Sequence, residues 1–448
     1  MITNQTKRSR ILFTEGTSLS ARQSLYALAH QDADERPIID VLDPAPLCQC
    51  RFSGLIRKWV RCPHYAKDPE AFLEFLVHQI QDGDYDVLLP THEQVYLLSR
   101  FEDLISPHVG LALPQFDSMD RLQNKADFMQ LLAELDLPHP RSSLVTTREQ
   151  LESVCEFPCY IKLGHSTAGS GVFRVENKAA LQQVADQMDR DGLLDGRCRS
   201  IVQQPAVGVQ STVQAVFTRG ELVAAHLFEA RAIGVGGMSP ARVSANHPVV
   251  FQHVAEIGRA VQWHGSVFID YFYDADNDRP EYIEANPRIG ETVNASLCGV
   301  NLVRCLADVS MGIQLAPSSP TSLAERAATA TGKRTQSFYM IAISKAHEGA
   351  SRVELLRELW AWVSGRGLYR DSEDELTRPR EDLWSVLPVF WILAQLFWSP
   401  QKSSQRIVRA TVENYSVPES AVRRLKAVPR QWFAKLWESK RSMPELPS

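Results

Sequence analysis

The first quarter of the chain alternates short apolar runs with helical patterns. An uninterrupted apolar run such as 86–90 is typical of a parallel strand buried on both faces. The predicted elements are a strand at 11–13, a helix at 21–30, a strand at 37–42, a helix at 70–80 and a strand at 86–90. This β-α-β alternation predicts a small doubly wound α/β domain over residues 1–116.

A second unit with an α+β pattern follows over residues 117–316. Ser118 is a candidate N-cap, and the apolar spacing after it predicts one amphipathic helix over 119–136, ended by Pro138. Further elements are predicted as strands at 159–163, 200–203, 213–217, 221–227, 267–273 and 281–285, with a helix at 250–263. From Pro317 the pattern changes to long helical stretches, which predicts a mainly helical extension over 317–448.

Composition and charge narrow the class of protein. The 448 residues are 44% hydrophobic and 23% charged, as expected for a globular protein of several domains. A formal net charge of −5 provides no overall positive field, so we expect no nucleic-acid partner. The eight cysteines form no CxxC pairs, and the N-terminus lacks a secretory pattern. The apolar run 384–398 is too short to span a bilayer. We therefore expect a cytoplasmic protein.

Acidic side chains interrupt two neighbouring apolar strands. Side chains alternate along a strand, so Tyr282, Glu284 and Asn286 are predicted to share one face, and a short turn brings Asp270 of the preceding strand close to them. Taken singly, Asp270 or Glu284 is more typical of an ordinary strand residue whose side chain is exposed to solvent. Together, two carboxylates and an amide oxygen form the kind of partial cage that Mg²⁺ accepts, with Arg288 near a transferring phosphoryl group.

A lysine followed by a glycine-rich loop forms the second candidate site. Lys162 is predicted to point away from its apolar strand neighbours, and Gly164, Gly169, Ser170 and Gly171 would let backbone N–H groups approach phosphate oxygens. An ordinary hairpin turn is an equally good interpretation of the loop. The phosphate-binding motif GxxxxGK[ST] is absent.

Five motifs in order resemble the ATP-grasp superfamily. They are Asn124-Lys125-Ala-Asp-Phe, Lys162 with its loop, VQQPAVGVQSTVQAVF at 202–217, an acid on a strand, and Glu284-Ala-Asn286-Pro287-Arg288. The resemblance is to the branch that contains the carbamoyl-phosphate-synthase large chain and carboxylate-amine ligases, and it covers about residues 10–315. The LLPTHEQV stretch at 88–95 is similar to part of the pre-ATP-grasp domain of those enzymes.

The resemblance implies a fold and a set of ligand-binding residues. The fold would be a doubly wound pre-ATP-grasp domain, an ATP-grasp domain of two α+β lobes with the lid lobe at about 140–205, and the helical extension. Asp270, Glu284 and Asn286 would hold Mg²⁺, with Mn²⁺ as an alternative, and Arg288 would stabilise the acyl-phosphate transition state. The residues implied to bind ATP are Lys125, Lys162, Ser166, Thr167, Gly169, Ser170, Gly171, Gln203, Gln204, Ala206 and Gln210.

Two positions depart from the pattern of the superfamily. Gln210 stands where such ligases usually carry a glutamate that binds the ribose hydroxyls. A glutamine can still form hydrogen bonds to these hydroxyls, but it carries no charge. Asp270 is shorter than the usual upstream glutamate or glutamine. Arg231 and Arg242, in a segment with several glycines, are candidates to clamp a substrate carboxylate, with surface salt bridging as the alternative. His165, His226 and His264 have no second ligand at metal-binding spacing, so we expect them to be structural.

The resemblance predicts an enzyme that activates a carboxylate as an acyl phosphate and joins it to an amine, releasing ADP and phosphate. The alternative is a nucleotide-binding scaffold without turnover, which Gln210 favours; carbamoyl-phosphate formation is disfavoured because the chain holds one ATP-grasp unit. Small-molecule substrates are the expected partners, and a homo-oligomer is left open.

Basic and aromatic residues alternate over 419–441, and we expect this segment to pack on the body, with contact to a membrane surface less favoured.

Overall fold

The described residues form three β-sheets. The computed structural model describes residues 8–29, 36–166, 169, 171–376, 381–415 and 417–438. Thr167 and Ser170 of the predicted phosphate loop, and Lys440 and Arg441 of the basic tail, lie outside the described residues. The boundaries predicted for the three domains stay a prediction.

The N-terminal sheet is parallel throughout, as the apolar runs predicted. Its strands pair in the order β3-β2-β1-β4. They are β1 (Arg10–Phe13), β2 (Ile38–Asp43), β3 (Lys58–Arg61) and β4 (Val87–Leu89), with helices α1 (Leu19–Ala29), α2 (Pro69–Gly83), α3 (Gln94–Ser99) and α4 (Glu102–Ile105). Helix α2 begins with a proline and is capped by Asp68, whose carboxylate accepts from the Ala71 backbone N–H.

The single helix predicted after Ser118 is in fact two helices, α5 (Phe116–Gln123) and α6 (Lys125–Glu134). The prediction was wrong because Asn124 is extended, and its side chain caps α6 by accepting from the backbone N–H groups of Ala126 and Asp127. Ser118 is no cap; its hydroxyl donates to the Val261 carbonyl. Lys125 therefore occupies the first turn of a helix and is buried, whereas the pattern alone is typical of a solvated lysine.

A small antiparallel sheet follows, with strand order β5-β8-β6-β7. Two helices, α7 and α8, pack on it through one apolar cluster. The bounds are β5 (Ser142–Thr147), α7 (Arg148–Glu152), β6 (Cys159–Leu163), β7 (Val172–Val175), α8 (Lys178–Arg190) and β8 (Asp195–Gln203). Strand β6 agrees with its prediction and carries Lys162.

The large sheet has the order β13-β12-β9-β10-β11-β14-β15, in which β14 (Arg334–Gln336) and β15 (Ser372–Asp374) come from the C-terminal region. The elements of this region are β9 (Val209–Thr218), β10 (Glu221–Ala232), β11 (Ala241–Ser244), α9 (Pro248–Ala260), β12 (Gly265–Asp274), β13 (Arg279–Asn286), α10 (Val293–Leu297) and α11 (Leu302–Ser310). Helices α9 and α11 pack against it through apolar side chains. Arg231 and Arg242 lie on β10 and β11, so the glycine-containing turn separates them.

Strands β12 and β13 form the predicted antiparallel hairpin, in which Asp270 pairs with Glu284 and Phe268 with Asn286. The register shifts by one residue after Asp270, so Tyr271 pairs with Tyr282. This irregularity reverses the side-chain alternation, and Tyr282 turns into the core against the Tyr271 ring, with the centroids 5.7 Å apart. The prediction that Tyr282 shares a face with Glu284 was therefore wrong.

The C-terminal residues also contribute two strands that the helical pattern does not predict. The elements are α12 (Pro320–Ala330), β14 (Arg334–Gln336), α13 (Phe338–His347), α14 (Arg352–Val363), β15 (Ser372–Asp374), α15 (Leu387–Trp398), α16 (Pro400–Tyr415), α17 (Glu419–Ala427) and α18 (Arg430–Glu438). Buried carboxylates join this region to α1: Gln23 donates to Glu375 at 2.9 Å, and Arg22 lies 3.5 Å from Asp382.

The last two helices pack on the body, as expected. The buried Phe433 ring lies 4.6 Å from the Phe101 ring, and Trp437 stacks on His108 at 3.9 Å. Arg430 pairs with Asp103 at the surface. Because the buried aromatic face points inward, these contacts favour packing over a membrane-bound tail.

In the parts of the chain that the structure covers, every helix is too short or too polar to cross a membrane.

Phe433→Ala tests the packing of α18. Removing a fully buried phenyl ring should lower the free energy of unfolding by about 3–5 kcal/mol. Lys435→Ala on the same helix is the control, because this lysine is exposed and its truncation should change stability little. Chemical denaturation and limited proteolysis at the C-terminus would measure both; equal stability of the two variants would contradict the packing.

Candidate functional site

The predicted metal ligands converge at one end of a cavity of about 750 Å³. Asp270 on β12 accepts a hydrogen bond from Thr212 at 2.6 Å, and the Asn286 amide donates to Asp270 at 3.2 Å and to Glu284 at 3.3 Å. The strand register sets this arrangement, since Asp270 and Glu284 are direct cross-strand partners. The three oxygen-bearing groups are therefore neighbours, as the alternation of strand residues predicted.

Electrostatics distinguish the two acids. Burial and the adjacent Glu284 raise the pKa of Asp270 to about 7. Burial also acts on Glu284, but Lys125 and Lys162 outweigh it and lower the pKa of that carboxyl. Two acids so close together favour a bound cation, because a cation stabilises both charges at once.

Both predicted lysines point to this cluster from different elements. Lys125, at the start of α6, donates to the Ser166 carbonyl at 2.9 Å and lies 3.3 Å from Glu284. Lys162, on β6, is 6% exposed and interacts electrostatically with Glu284 and Asp270. Burial, with a smaller contribution from Lys125, lowers the pKa of Lys162 to about 8 against the effect of the acids. Within the described ranges, no hydrogen bond or ion pair satisfies its ammonium group.

The glycine-rich loop begins beside these lysines. Gly169 has φ of 71°, and a Cβ there would lie 3.0 Å from the Gly236 Cα, so glycine permits close contact between the loop and the turn after β10. A Cβ at Gly171 would overlap Ser166 at 2.6 Å. Ser166 is buried, and Gly169 lines the cavity. The described part of the loop therefore lies at the site.

The remaining residues implied to bind ATP are more dispersed. Gln203 is buried, and its amide bonds Ser142 and Met129. The Gln204 backbone N–H donates to Arg141, and Ala206 is half-buried. None of the three lines the cavity. Gln210 does line it, and its amide donates to the Gly237 carbonyl at 2.7 Å. Their roles toward a nucleotide stay predictions.

The three predicted arginines divide into two groups. Arg288 lines the cavity, with Nε 2.9 Å from Glu93 and the guanidinium 4.9 Å from the Phe268 ring. Arg242 also lines the cavity and is buried between Glu291 and Glu375. Arg231 donates to the Leu368 carbonyl and does not line the cavity. A clamp by Arg231 therefore has no support in this geometry.

Several residues in or beside the cavity have no predicted role. Thr212 and Gln214 follow Gln210 at two-residue spacing on β9, so alternation along the strand could have identified them. Glu93 lies inside the LLPTHEQV stretch but was assigned no role. Glu375 reaches Arg242 from far along the chain, and no local pattern predicts that contact.

The oxygen atoms of the acidic cluster suit a hard cation that takes its remaining ligands from phosphate groups and water. In the part of the chain covered by the structure, no three His, Cys, Asp or Glu side chains converge on one point. A cation here would draw on Asp270, Glu284 and, after rotation of its amide, the oxygen of Asn286. Mg²⁺ is commonly held by one or two carboxylates together with phosphate oxygens and water.

His165, at the base of the glycine-rich loop, has a structural role, as expected. Its ring bonds Asp120 at 3.3 Å and Glu419 of α17 at 3.0 Å. Burial disfavours the charged ring, but these two carboxylates outweigh burial and raise its pKa. The bond to His165 in turn lowers the pKa of Glu419. Hydrogen bonds from His165, Lys426 and Tyr96 lower the pKa of Asp120 despite its burial.

No protein-family model matches the chain. It is 23% identical over 213 residues to the carbamoyl phosphate synthase large chain of Clostridium acetobutylicum, a match covering 45% of this chain and 20% of that protein. It is 22% identical over 259 residues to the arginine-specific large chain of Bacillus subtilis, covering 55% and 25%. The chain thus spans about a quarter or less of these relatives. The matches confirm the resemblance in sequence that the motifs predicted.

Solved structures with a similar fold are enzymes that handle small molecules. The biotin carboxylase domain of Hydrogenobacter thermophilus 2-oxoglutarate carboxylase, in complex with MgADP, ADP and bicarbonate, has a TM-score of 0.57 at 12% identity, covering 69% of this chain and 71% of that one. L-amino acid ligase from Bacillus licheniformis has a TM-score of 0.52 at 16% identity, covering 70% and 77%. These likenesses confirm the predicted fold class.

The His165 cluster predicts a pH-dependent stability. The contribution of a raised histidine pKa is present below the unfolded value of about 6.5 and is lost as pH rises through the folded pKa. The contribution of the lowered carboxyl pKa values is present above about pH 4 and is lost as pH falls through their folded values.

His165→Gln should therefore lower the melting temperature most between about pH 4.5 and 6.5, and less toward pH 9. Scanning fluorimetry across this range would measure the difference from wild type. His347→Gln is the control, since this histidine is exposed at the end of α13 and should change little. A His165→Gln effect that is constant with pH would contradict the ionic interpretation.

Proposed function

We propose that this chain is a member of the ATP-grasp superfamily, and that it is an ATP- and Mg²⁺-dependent ligase joining a carboxylate to an amine. The observation that carries this proposal is the convergence of Asp270, Glu284 and Asn286 with two buried lysines. The carbamoyl phosphate synthase matches support ligase chemistry in general. The MgADP complex of the biotin carboxylase domain supports the nucleotide and the metal.

The lysines are suited to hold phosphate oxygens. Lys162 is buried without a hydrogen-bonding partner among the described residues, and burying an unpaired ammonium is costly unless an anion joins it. A triphosphate would supply that anion. Lys125 already bridges Glu284 and the loop carbonyl of Ser166, so it can link the metal ligands to the loop at Gly169.

The acidic cluster is suited to hold Mg²⁺. Bound there, the ion would neutralise charge on the phosphate groups and stabilise the phosphoryl group during transfer. Asp270 and Glu284 would bind as carboxylates, and Thr212 would keep Asp270 oriented through its 2.6 Å hydrogen bond. With two acids and one amide, the chain leaves coordination positions for phosphate oxygens.

The reaction has two balanced steps. A carboxylate oxygen attacks the γ-phosphorus of ATP, the bond to the bridging oxygen breaks, and ADP leaves with the electron pair. The amine then attacks the acyl carbon, phosphate leaves, and the nitrogen loses a proton. Arg288 is fixed by Glu93 through Nε, and in the described structure its Nη groups are unpaired, so they can donate to a developing negative charge.

Glu284→Gln and Asp270→Asn should each reduce Mg²⁺-dependent turnover of ATP by about a hundredfold or more, because each removes a charged metal ligand. Asp276→Asn is the matched control, since Asp276 lies exposed in the turn of the same hairpin. A coupled assay for ADP would measure all three. Turnover that survives in both site variants would contradict the assigned metal site.

The experiment that tests the ligase is release of ADP across a panel of carboxylic acids and amines. Stimulation by a carboxylate, followed by an amide product, is the expected result. ATP binding without any stimulated ADP release would instead favour the nucleotide-binding scaffold, for which Gln210 is the supporting residue. Release stimulated by bicarbonate and ammonia alone would favour carbamoyl-phosphate formation.

A further inference from the structure

The cavity of the proposed site has two chemically different sides. One side carries the polar groups of β9 and the charged groups of β12 and β13 already described. The other side is apolar and comes mainly from the C-terminal region. Its side chains belong to α13, α15, α16 and the segment after β2, and they include Leu47, Ile343, Leu387, Trp391, Ile392 and Val408. The described lining has no carboxylate on this apolar side.

The apolar side is held on the body by buried charged groups. Asp382 precedes α15 and accepts from the Gly54 backbone N–H at 3.0 Å, with Arg22 at 3.5 Å. Glu375 accepts from Thr335 at 2.7 Å and faces Arg242. Because these contacts join the C-terminal region to α1 and to the cavity itself, the apolar wall has a fixed position relative to the metal ligands.

Apolar side chains on this wall remain exposed. Leu387 and Trp391 occupy successive turns of α15, line the cavity and are 40% and 59% exposed. An exposed contiguous apolar surface in a concave site is typical of a ligand-binding surface. Trp398 lies on the same helix and is 80% exposed, but it does not line the cavity. It therefore serves as a control for the role of Trp391.

We propose that the carboxylate substrate is amphipathic and carries a large apolar group, aliphatic or aromatic, which packs against Leu387, Trp391 and Val408. Its carboxylate lies at the charged side, where Arg288 retains unpaired donors among the described residues. A second charge on the apolar group would lose hydration without gaining a partner there, so polar dicarboxylates bind poorly. Short acids bind poorly because they cover little of the apolar wall. This inference rests on the proposed ligase function.

The test uses the full-length protein with ATP, Mg²⁺ and hydroxylamine as a general nucleophile, which converts an acyl phosphate into a hydroxamate plus phosphate. The acids are butyrate, octanoate, dodecanoate and indole-3-propionate, with succinate and glutamate as polar comparisons. We expect kcat/KM to rise with apolar size. Trp391→Ala should raise KM for the favoured acid by about tenfold or more and leave KM for ATP unchanged. Trp398→Ala should change neither.

Binding is measured separately, as the shift in melting temperature on adding each acid, so that failures can be told apart. Favoured turnover of succinate or glutamate, or equal behaviour of Trp391→Ala and Trp398→Ala, would overturn the apolar assignment while the ligase stands. Binding of apolar acids that is lost in Trp391→Ala, with no ADP or hydroxamate formed, would uphold the apolar site and overturn the ligase. Thermal unfolding of both variants verifies that they fold.

Discussion

Repulsion between two neighbouring carboxylates is the constraint on which the site depends. Asp270 and Glu284 face each other across adjacent strands, and their charges are tolerable only with cations close by. The chain supplies two, Lys125 from the first turn of α6 and Lys162 from the small sheet. Elements on two different sheets and a helix must therefore be assembled before this cluster is stable. A divalent ion and a polyphosphate would complete the same charge balance.

Buried ion pairs connect the site to the N-terminal unit and to the C-terminal region. Arg288 is paired with Glu93 from the N-terminal unit, and Arg242 with Glu375 from the C-terminal region. Losing one partner of such a pair costs about 3–5 kcal/mol, because the other charge stays buried alone. The C-terminal helices are thus part of the structure that holds the site, and they also form its apolar wall.

The glycine-rich loop connects the two ends of this arrangement. Its base is held by His165, which bonds Glu419 of α17, while Gly169 lies against Gly236, and both glycines line the cavity. The described part of the loop therefore contacts α17 at its base and the glycine-containing turn after β10 at Gly169. Glycine at 169 permits both the backbone angle and the close approach.

Local patterns in the sequence determined the parallel sheet, the hairpin that brings Asp270 close to Glu284, and Lys162 on its strand, because periodicity and short turns act over a few residues. The tertiary structure decided what local periodicity leaves open. A one-residue register shift buried Tyr282, the cap at Asn124 divided a helix and buried Lys125, and Arg231 turned toward Leu368. The contact between Arg242 and Glu375 joins residues far apart in the chain, and only the packing of whole elements brings such residues together.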